Sequence, residues 1–231
     1  MAFVDRAFYE RQGADAIDAG VRIDCSMQPT TDAVVAMAER YRDQFQTVLD
    51  IGCGANLAYD IPIADLGKMV IGVDFTLNFL RMARAEHPRF RLAQADGLRL
   101  PFRDASFDAA ICSETIEHIE DDCAALAEIA RVTKPRGWLF FTVPNLWNAS
   151  RVIEMARRRD FTVRLMEGHV REYTIRRVKR LLSPHFSIER FYPVGFGWTG
   201  PVGGKIDRLI YFGVLRRFSN SIALVARRRA D

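Results

Sequence analysis

No apolar run in the sequence approaches the roughly 20 residues that cross a bilayer, which excludes a helical membrane protein. The opening Met1-Ala2-Phe3-Val4-Asp5-Arg6 lacks the basic-then-apolar pattern of a secretory signal, so a cytoplasmic location is expected. Cysteine is sparse: Cys25, Cys53, Cys112 and Cys123 form no CxxC pair and have no histidine-rich neighbourhood. That argues against a zinc site or disulfide framework and predicts reduced, buried thiols. Internal repeats and low-complexity tracts are missing too, which excludes solenoids and biased linkers.

What is present is an ordinary globular composition. The 231 residues are 49% hydrophobic and 27% charged, enough for one sizeable core. The net charge of +4 is unevenly spread. Between Arg151 and Arg180, ten Lys and Arg face only Glu154, Asp160, Glu167 and Glu172, so this segment carries +6 and the rest of the chain −2. Basicity therefore describes one surface.

From Thr47 onward, short apolar runs alternate with helical patterns. Val48-Leu49-Asp50-Ile51, Met69 to Val73, Phe90 to Gln94, Phe107 to Cys112 and Trp138 to Val143 read as five strands. The second and fifth are apolar throughout, as strands covered on both faces are. Helices are expected over Asn56 to Leu66, Leu77 to Glu86, and Asp122 to Val132 behind the N-cap Asp121. Two late strands, Ser187 to Tyr192 and Ser221 to Ala226, complete the sheet. The expectation is an α/β, Rossmann-like, doubly wound seven-stranded sheet with helices on both faces. One domain accounts for the whole chain: an N-terminal helical cap over 1–44, a core over 45–145, a basic helical insertion over 146–185 and closing strands over 186–231. The cap includes a helix opened by Pro29-Thr30-Thr31, and the insertion carries an amphipathic Arg151–Arg159 stretch and a helix capped by Thr174.

In such sheets ligands bind beyond the carboxyl ends of the strands. Gly52 and Gly54 follow the first strand, where glycine permits a tight turn and close approach of a ligand. Asp74 ends the second strand, placed to accept hydrogen bonds from a ribose diol. A dinucleotide site shares these features but needs a third glycine at position 57, where Leu57 stands. Asp50 lies inside the turn and would repel a pyrophosphate, whereas the amino group and sulfonium of S-adenosylmethionine are cationic. Asp96 ends the third strand and can accept from an exocyclic adenine amine.

On these residues the chain resembles the class I S-adenosylmethionine-dependent methyltransferases. Val48-Leu49-Asp50-Ile51-Gly52-Cys53-Gly54 looks like their first motif. Gly72-Val73-Asp74, Ala95-Asp96-Gly97-Leu98-Arg99-Leu100-Pro101-Phe102 and Phe107-Asp108-Ala109-Ala110-Ile111 resemble the next three, in order. Leu126 to Trp138 resembles the helix and turn before the fifth strand. The similarity spans roughly 45–145 and is best to small-molecule methyltransferases, including the ubiquinone and menaquinone type. It implies that Asp50, Gly52 and Gly54 line the methionine end and Asp74 the ribose. Asp96 takes the adenine amine, and Phe75, Ala95, Gly97 and Ser113 complete the cofactor site.

Methyl transfer from a sulfonium draws its chemistry from the donor, so the protein mainly aligns an acceptor and excludes water. A hydroxyl or ammonium acceptor also calls for a base or a metal. Glu114-Thr115-Ile116-Glu117-His118 follows the fourth strand beside the expected methyl group. It resembles an ExxEH motif of ubiquinone-type O-methyltransferases and small-RNA methyltransferases, where it holds a divalent cation. Glu114, Glu117 and His118 are thus candidate ligands for Mg²⁺. Glu117, His118 and His169 are the candidate catalytic residues. Tyr9, Arg11, Arg22, Asn145, Trp147, His169, Arg171 and Tyr173 are candidate acceptor-lining residues, and Gly195 to Pro201 a candidate covering loop.

The basic segment admits a solvated face, an anionic acceptor, or peripheral contact with an anionic membrane. Nucleic acid ranks last, because no recognition module is present. The leading function is methylation of a small molecule, on oxygen, with a quinone, lipid-like or glycan-linked acceptor. The alternatives are an RNA or protein methyltransferase using the basic face, and a non-catalytic partner that only binds S-adenosylmethionine.

Overall fold

The computed structural model describes residues 28–160, 168–192 and 218–230, with Glu10, Arg11, Ala14, Thr162, Leu165 and Val194. Helix α1 (Gln28–Tyr41) leads through a short 3-10 turn into β1 (Thr47–Ile51). Then come α2 (Asp60–Asp65), β2 (Met69–Asp74), α3 (Leu77–Glu86), β3 (Arg91–Gln94) and β4 (Phe107–Ser113). A 3-10 turn (Ile116–His118) precedes α4 (Asp122–Val132), β5 (Thr133–Pro144), α5 (Ala149–Arg158), α6 (Ile175–Leu182), β6 (Phe186–Tyr192) and β7 (Ser221–Arg228). The seven strands form one sheet in the order β3-β2-β1-β4-β5-β7-β6.

The unbroken apolar runs are explained by two cores on opposite faces. Leu139, Phe141 and Val143 of β5 pack with Leu126 and Ile129 of α4 and Val178 and Leu182 of α6. Trp138 and Phe140 of the same strand pack on the other face with Val34, Met37 and Ala38 of α1 and Ile63 of α2. Successive side chains alternate between faces, so a strand buried on both must be apolar at every position. Truncating Phe140 or Phe141, both fully buried, would cost about 3–5 kcal/mol.

Helix entry follows the expected caps. The Asp121 side chain accepts from the Ala124 N–H at 2.9 Å, and Thr174 from the Arg177 N–H at 3.2 Å. Asn148 does the same for α5, accepting from Arg151 at 2.9 Å. One expectation shifts. Helix α2 starts at Asp60 and not Asn56, because Leu57 takes a left-handed backbone (φ 48°) to drop its side chain into a small core with Cys53, Leu80 and Leu92. Strand β7 runs antiparallel to β5 and β6, making the sheet mixed. Cys53 and Cys112 are buried as expected, but Cys123 is exposed on α4. Cys25, Tyr9, Arg22 and the Gly195 to Pro201 loop lie outside the described residues. Among the described residues no helix is long and apolar enough to cross a membrane.

Candidate active site

The parallel strands β1, β2, β3 and β4 end on one edge of the sheet, and the loops after them build the site. Gly52 and Gly54 take left-handed backbone angles, φ 78° and 64°. The N–H groups of Gly52 and Cys53 both donate to the Val73 carbonyl, at 2.8 and 3.0 Å, pinning the loop against β2. A Cβ on Gly52 would meet Thr115 Oγ1 at 2.4 Å, so the loop after β4 lies directly on the loop after β1. A Cβ on Gly54 would meet only Asn56 Oδ1, at 3.9 Å, which leaves that side open to a ligand.

Asp74 ties this loop to the next helix. Its carboxylate accepts from the Gly54 N–H at 3.0 Å and from the Thr76 N–H at 2.8 Å. Burial still raises its pKa against those bonds. Phe75 is partly exposed beside it, and its carbonyl accepts from Gln94. At the end of β3, the Ala95 N–H donates to the Asp74 carbonyl at 3.0 Å, bringing Ala95 and Asp96 alongside. Asp96 is exposed and accepts from the Leu98 N–H at 2.9 Å. A Cβ on Gly97 would strike Ile119 at 2.9 Å, so the loops after β3 and β4 also touch.

Asp50 sits on the β1 face shared by Val48, toward α2, and is 1% exposed with no donor to either oxygen. Burial raises its pKa well above the ordinary value, reinforced by Asp60 and Asp74. Ser113, ending β4, shares a 2.7 Å hydroxyl contact with Thr142, which donates to Glu114 Oε1 at 2.8 Å.

The second half of the site lies just beyond. Glu117, His118 and His169 present ligand-type atoms all within 4.8 Å of one another. The two imidazoles meet edge-on, centroids 5.0 Å apart. His118 Nδ1 contacts the Gly168 carbonyl at 2.9 Å, which sets Nδ1 as the protonated nitrogen and turns Nε2 toward Glu117 at 3.9 Å. Burial lowers the pKa of both histidines, so both are neutral imidazoles at neutral pH. Glu117 is 1% exposed, its Oε2 has no partner, and burial followed by the charge of Glu114 raises its pKa strongly.

The Glu114 carboxyl is not part of that trio. The residue takes a left-handed backbone (φ 49°), and its carboxyl is held by the hydroxyls of Thr142 and Ser221. Burial nonetheless raises it to about 7. What remains is one carboxylate and two imidazoles, which do not suit Mg²⁺, an ion that takes oxygen ligands in octahedral array. Of the acceptor-lining candidates, Asn145 and Tyr173 are buried and structural. Asn145 donates to the Ser219 carbonyl at 2.8 Å, and the Tyr173 hydroxyl donates to Asp122 at 2.9 Å. Arg171 pairs with Asp122 at 2.7 Å and so fastens the segment carrying His169 to α4.

Sequence reasoning missed three participants. Asp60, which opens α2, is fully buried against Asp50. Thr115 covers Gly52. Glu10 accepts from the N–H groups of Leu77 and Asn78 at 2.9 and 3.3 Å, which sets it against the start of α3. Only Thr115, inside the motif after β4, had a local signal.

The strand order, the glycine loop and the acids at successive strand ends are the arrangement that the resemblance to class I S-adenosylmethionine-dependent methyltransferases leads one to expect. Residues 49–141 match the family model described as a methyltransferase domain. The chain is 38% identical over 92 residues to the demethylmenaquinone methyltransferase of Streptomyces avermitilis, covering 40% of this chain and 39% of that protein. It is 31% identical over 134 residues to the ubiquinone biosynthesis O-methyltransferase of Albidiferax ferrireducens, covering 55% and 52%. The chain thus spans about two fifths to half the length of the curated relatives it matches. In fold it is similar to a methyltransferase from Methanosarcina mazei, TM-score 0.63 at 19% identity, covering 84% of this chain and 98% of that one. The cyclase SpnF shares the fold as well, TM-score 0.61 at 18% identity, covering 85% and 82%, so the fold alone does not fix the reaction.

The residues present fit the donor. The unpartnered Asp50 carboxylate and the open side of Gly54 suit a cationic amino acid end, and both oxygens of Asp74 face a loop rather than a cation.

Proposed function

We propose that the chain transfers the methyl group of S-adenosylmethionine to a hydroxyl of a small-molecule acceptor. The observation that carries this reading is the adjacency of two unlike half-sites on one sheet edge. One is a set of buried acids around a glycine loop; the other is the Glu117, His118 and His169 cluster beyond β4.

In this reading Asp50, Gly52 and Gly54 receive the methionine end of the donor, Asp74 the ribose diol, and Asp96 the adenine amine. Phe75, Ala95, Gly97 and Ser113 shape the walls. The bound donor supplies an activated methyl group and its own leaving group. The protein aligns an acceptor oxygen with it and takes the acceptor's proton. The imidazoles of His118 and His169 are the candidate bases, and Glu117 beside the first and Glu172 beside the second favour the imidazolium that forms. One carboxylate and two imidazoles suit a transition-metal ion: if one fills the cluster EDTA abolishes activity, and if the imidazoles act as bases it does not.

Both relatives are named for quinones, which supports a lipid-like ring acceptor, and the one named for O-methylation supports transfer to oxygen. Trp147 and Ile153 are large apolar residues left 46% and 53% exposed near the exposed Arg157 and Arg158 of α5. That combination supports peripheral contact with an anionic membrane, to be checked by flotation with anionic and neutral vesicles. The main test is incubation with methyl-labelled S-adenosylmethionine and fractionated cell extract. A labelled small molecule is expected. Label appearing only in RNA or protein would favour the basic-face alternative, and no label despite tight donor binding would leave a non-catalytic partner.

A further inference from the structure

The function proposed above leaves Asp60 without a role. It opens α2, is 0% exposed, and its carboxyl faces that of Asp50 at hydrogen-bonding range. Among the described residues, none of the four carboxylate oxygens has a hydrogen-bond partner. The other titratable groups facing the pair are Asp74 from β2, Cys53 from the glycine loop, Tyr59 next to Asp60 and Cys112 from β4. All of them are neutral or negative, so among the described residues nothing facing the pair offsets two charges.

Two ionised carboxylates in contact inside a dry site repel each other strongly, whereas one proton between them turns the repulsion into a charge-assisted O–H···O bond. Burial raises both groups, Asp60 to about 6 and Asp50 well above its ordinary value, which is the direction a shared proton requires. The pair lies beneath a loop whose Gly54 side is open.

We infer that Asp50 and Asp60 share one proton in the free protein, and that the ammonium group at the donor's methionine end displaces it on binding. The inference rests on the donor-binding reading above. The pair passes from one negative charge to two, the proton leaves to solvent, and the ammonium keeps its own three protons. Asp60 acts through Asp50 and is a positioning residue. The consequence is that donor binding is coupled to pH by a group that takes no part in methyl transfer.

Calorimetry of the full chain with S-adenosylhomocysteine at pH 7, in buffers of different ionisation enthalpy, counts the protons released. Close to one proton is expected, with affinity rising toward tenfold per pH unit between pH 6 and 7. Asp60→Asn should release almost none and lose that pH dependence. At pH 8 it should bind on the order of tenfold more weakly than the native protein. 5′-Methylthioadenosine, which lacks the amino acid end, should bind without releasing a proton. The inference is overturned if the native protein releases no proton with S-adenosylhomocysteine, or if Asp60→Asn releases the same number. Absence of any heat with both ligands would instead overturn the donor-binding reading. Thermal melts of the free proteins would then judge the shared proton: the native chain should lose stability relative to Asp60→Asn as pH rises from 5 to 8, and parallel melts would overturn it.

Discussion

Asp50 and Asp122 are both largely buried acids at strand or helix ends, yet they live in opposite surroundings. Asp122 receives Arg171 at 2.7 Å, the Tyr173 hydroxyl at 2.9 Å and Arg177 at 3.5 Å. Burial pushes its carboxyl up, but those bonds outweigh it and leave the pKa lowered. Asp50 receives nothing, and its pKa rises. Asp108 belongs with Asp122: burial raises it, and Lys134 at 2.7 Å with the N–H groups of Thr47 and Gln46 pulls it below the usual range. The acids that hold the fold together bring their partners from the same chain. Asp50 and Asp60, beneath the glycine loop, find no such partner among the described residues, and a buried charge is tolerated without one only where a ligand or proton supplies the balance.

Glu117→Gln tests the contrast most severely. It should lower methyl transfer by about 10²–10⁴-fold while donor affinity, by calorimetry, stays within about twofold. A parallel loss of donor binding would move Glu117 from the acceptor half to the donor half. Next, Asp50→Asn should weaken donor binding by about tenfold to a hundredfold and leave the melting temperature of the free protein unchanged or higher. Asp122→Asn should do the reverse, costing about 2–3 kcal/mol in denaturant unfolding with donor affinity nearly unchanged. If the two variants behaved alike, the division of the acids into structural and ligand-awaiting sets would be wrong. Gly52→Ala should cost about 1–3 kcal/mol, since its Cβ meets Thr115 and the backbone is left-handed.

The smallest effect is in pH. Asp60, raised to about 6, favours the folded state when protonated, so its contribution is complete below about pH 4 and fades as pH rises through 6. Asp108 and Asp122, held low, contribute above about pH 4 and are lost on acidification below it. Stability should therefore rise slightly from pH 7 to 5 and fall below 4. In Asp60→Asn the rise should shrink, while the fall stays.

How far the sequence carried this picture depended on whether the signal was local. The limits of α3 and α4, the caps Asp121 and Thr174, and the glycine loop were legible because each rests on neighbours within a turn. Asp74 and Asp96 were legible because strand ends in this topology share one edge. Asp60 was not: Tyr59-Asp60-Ile61-Pro62 reads as an ordinary helix start, and only the stacking of α2 over β1 sets it against Asp50. The metal motif was legible only in part for a related reason: Glu117 and His118 come together with His169, without Glu114. Its spacing is local, but Glu114 is turned away by Thr142 on β5 and Ser221 on β7, partners distant in sequence. The direction of β7 was equally hidden, since a strand reads the same either way up.

That last strand carries a consequence for how the molecule is made. Strand β7 lies between β5 and β6, though it is the last of the three to leave the ribosome. Until it arrives, β5 has a bare edge, Glu114 lacks its Ser221 contact, and a nascent chain holds an unfinished pocket. Assembly must therefore wait for long-range pairing, which makes folding slow and the unfinished chain exposed to aggregation. A cell that stalls synthesis before Ser221 should make a species that chaperones retain, and ribosome-arrested chains probed by limited proteolysis would reveal it.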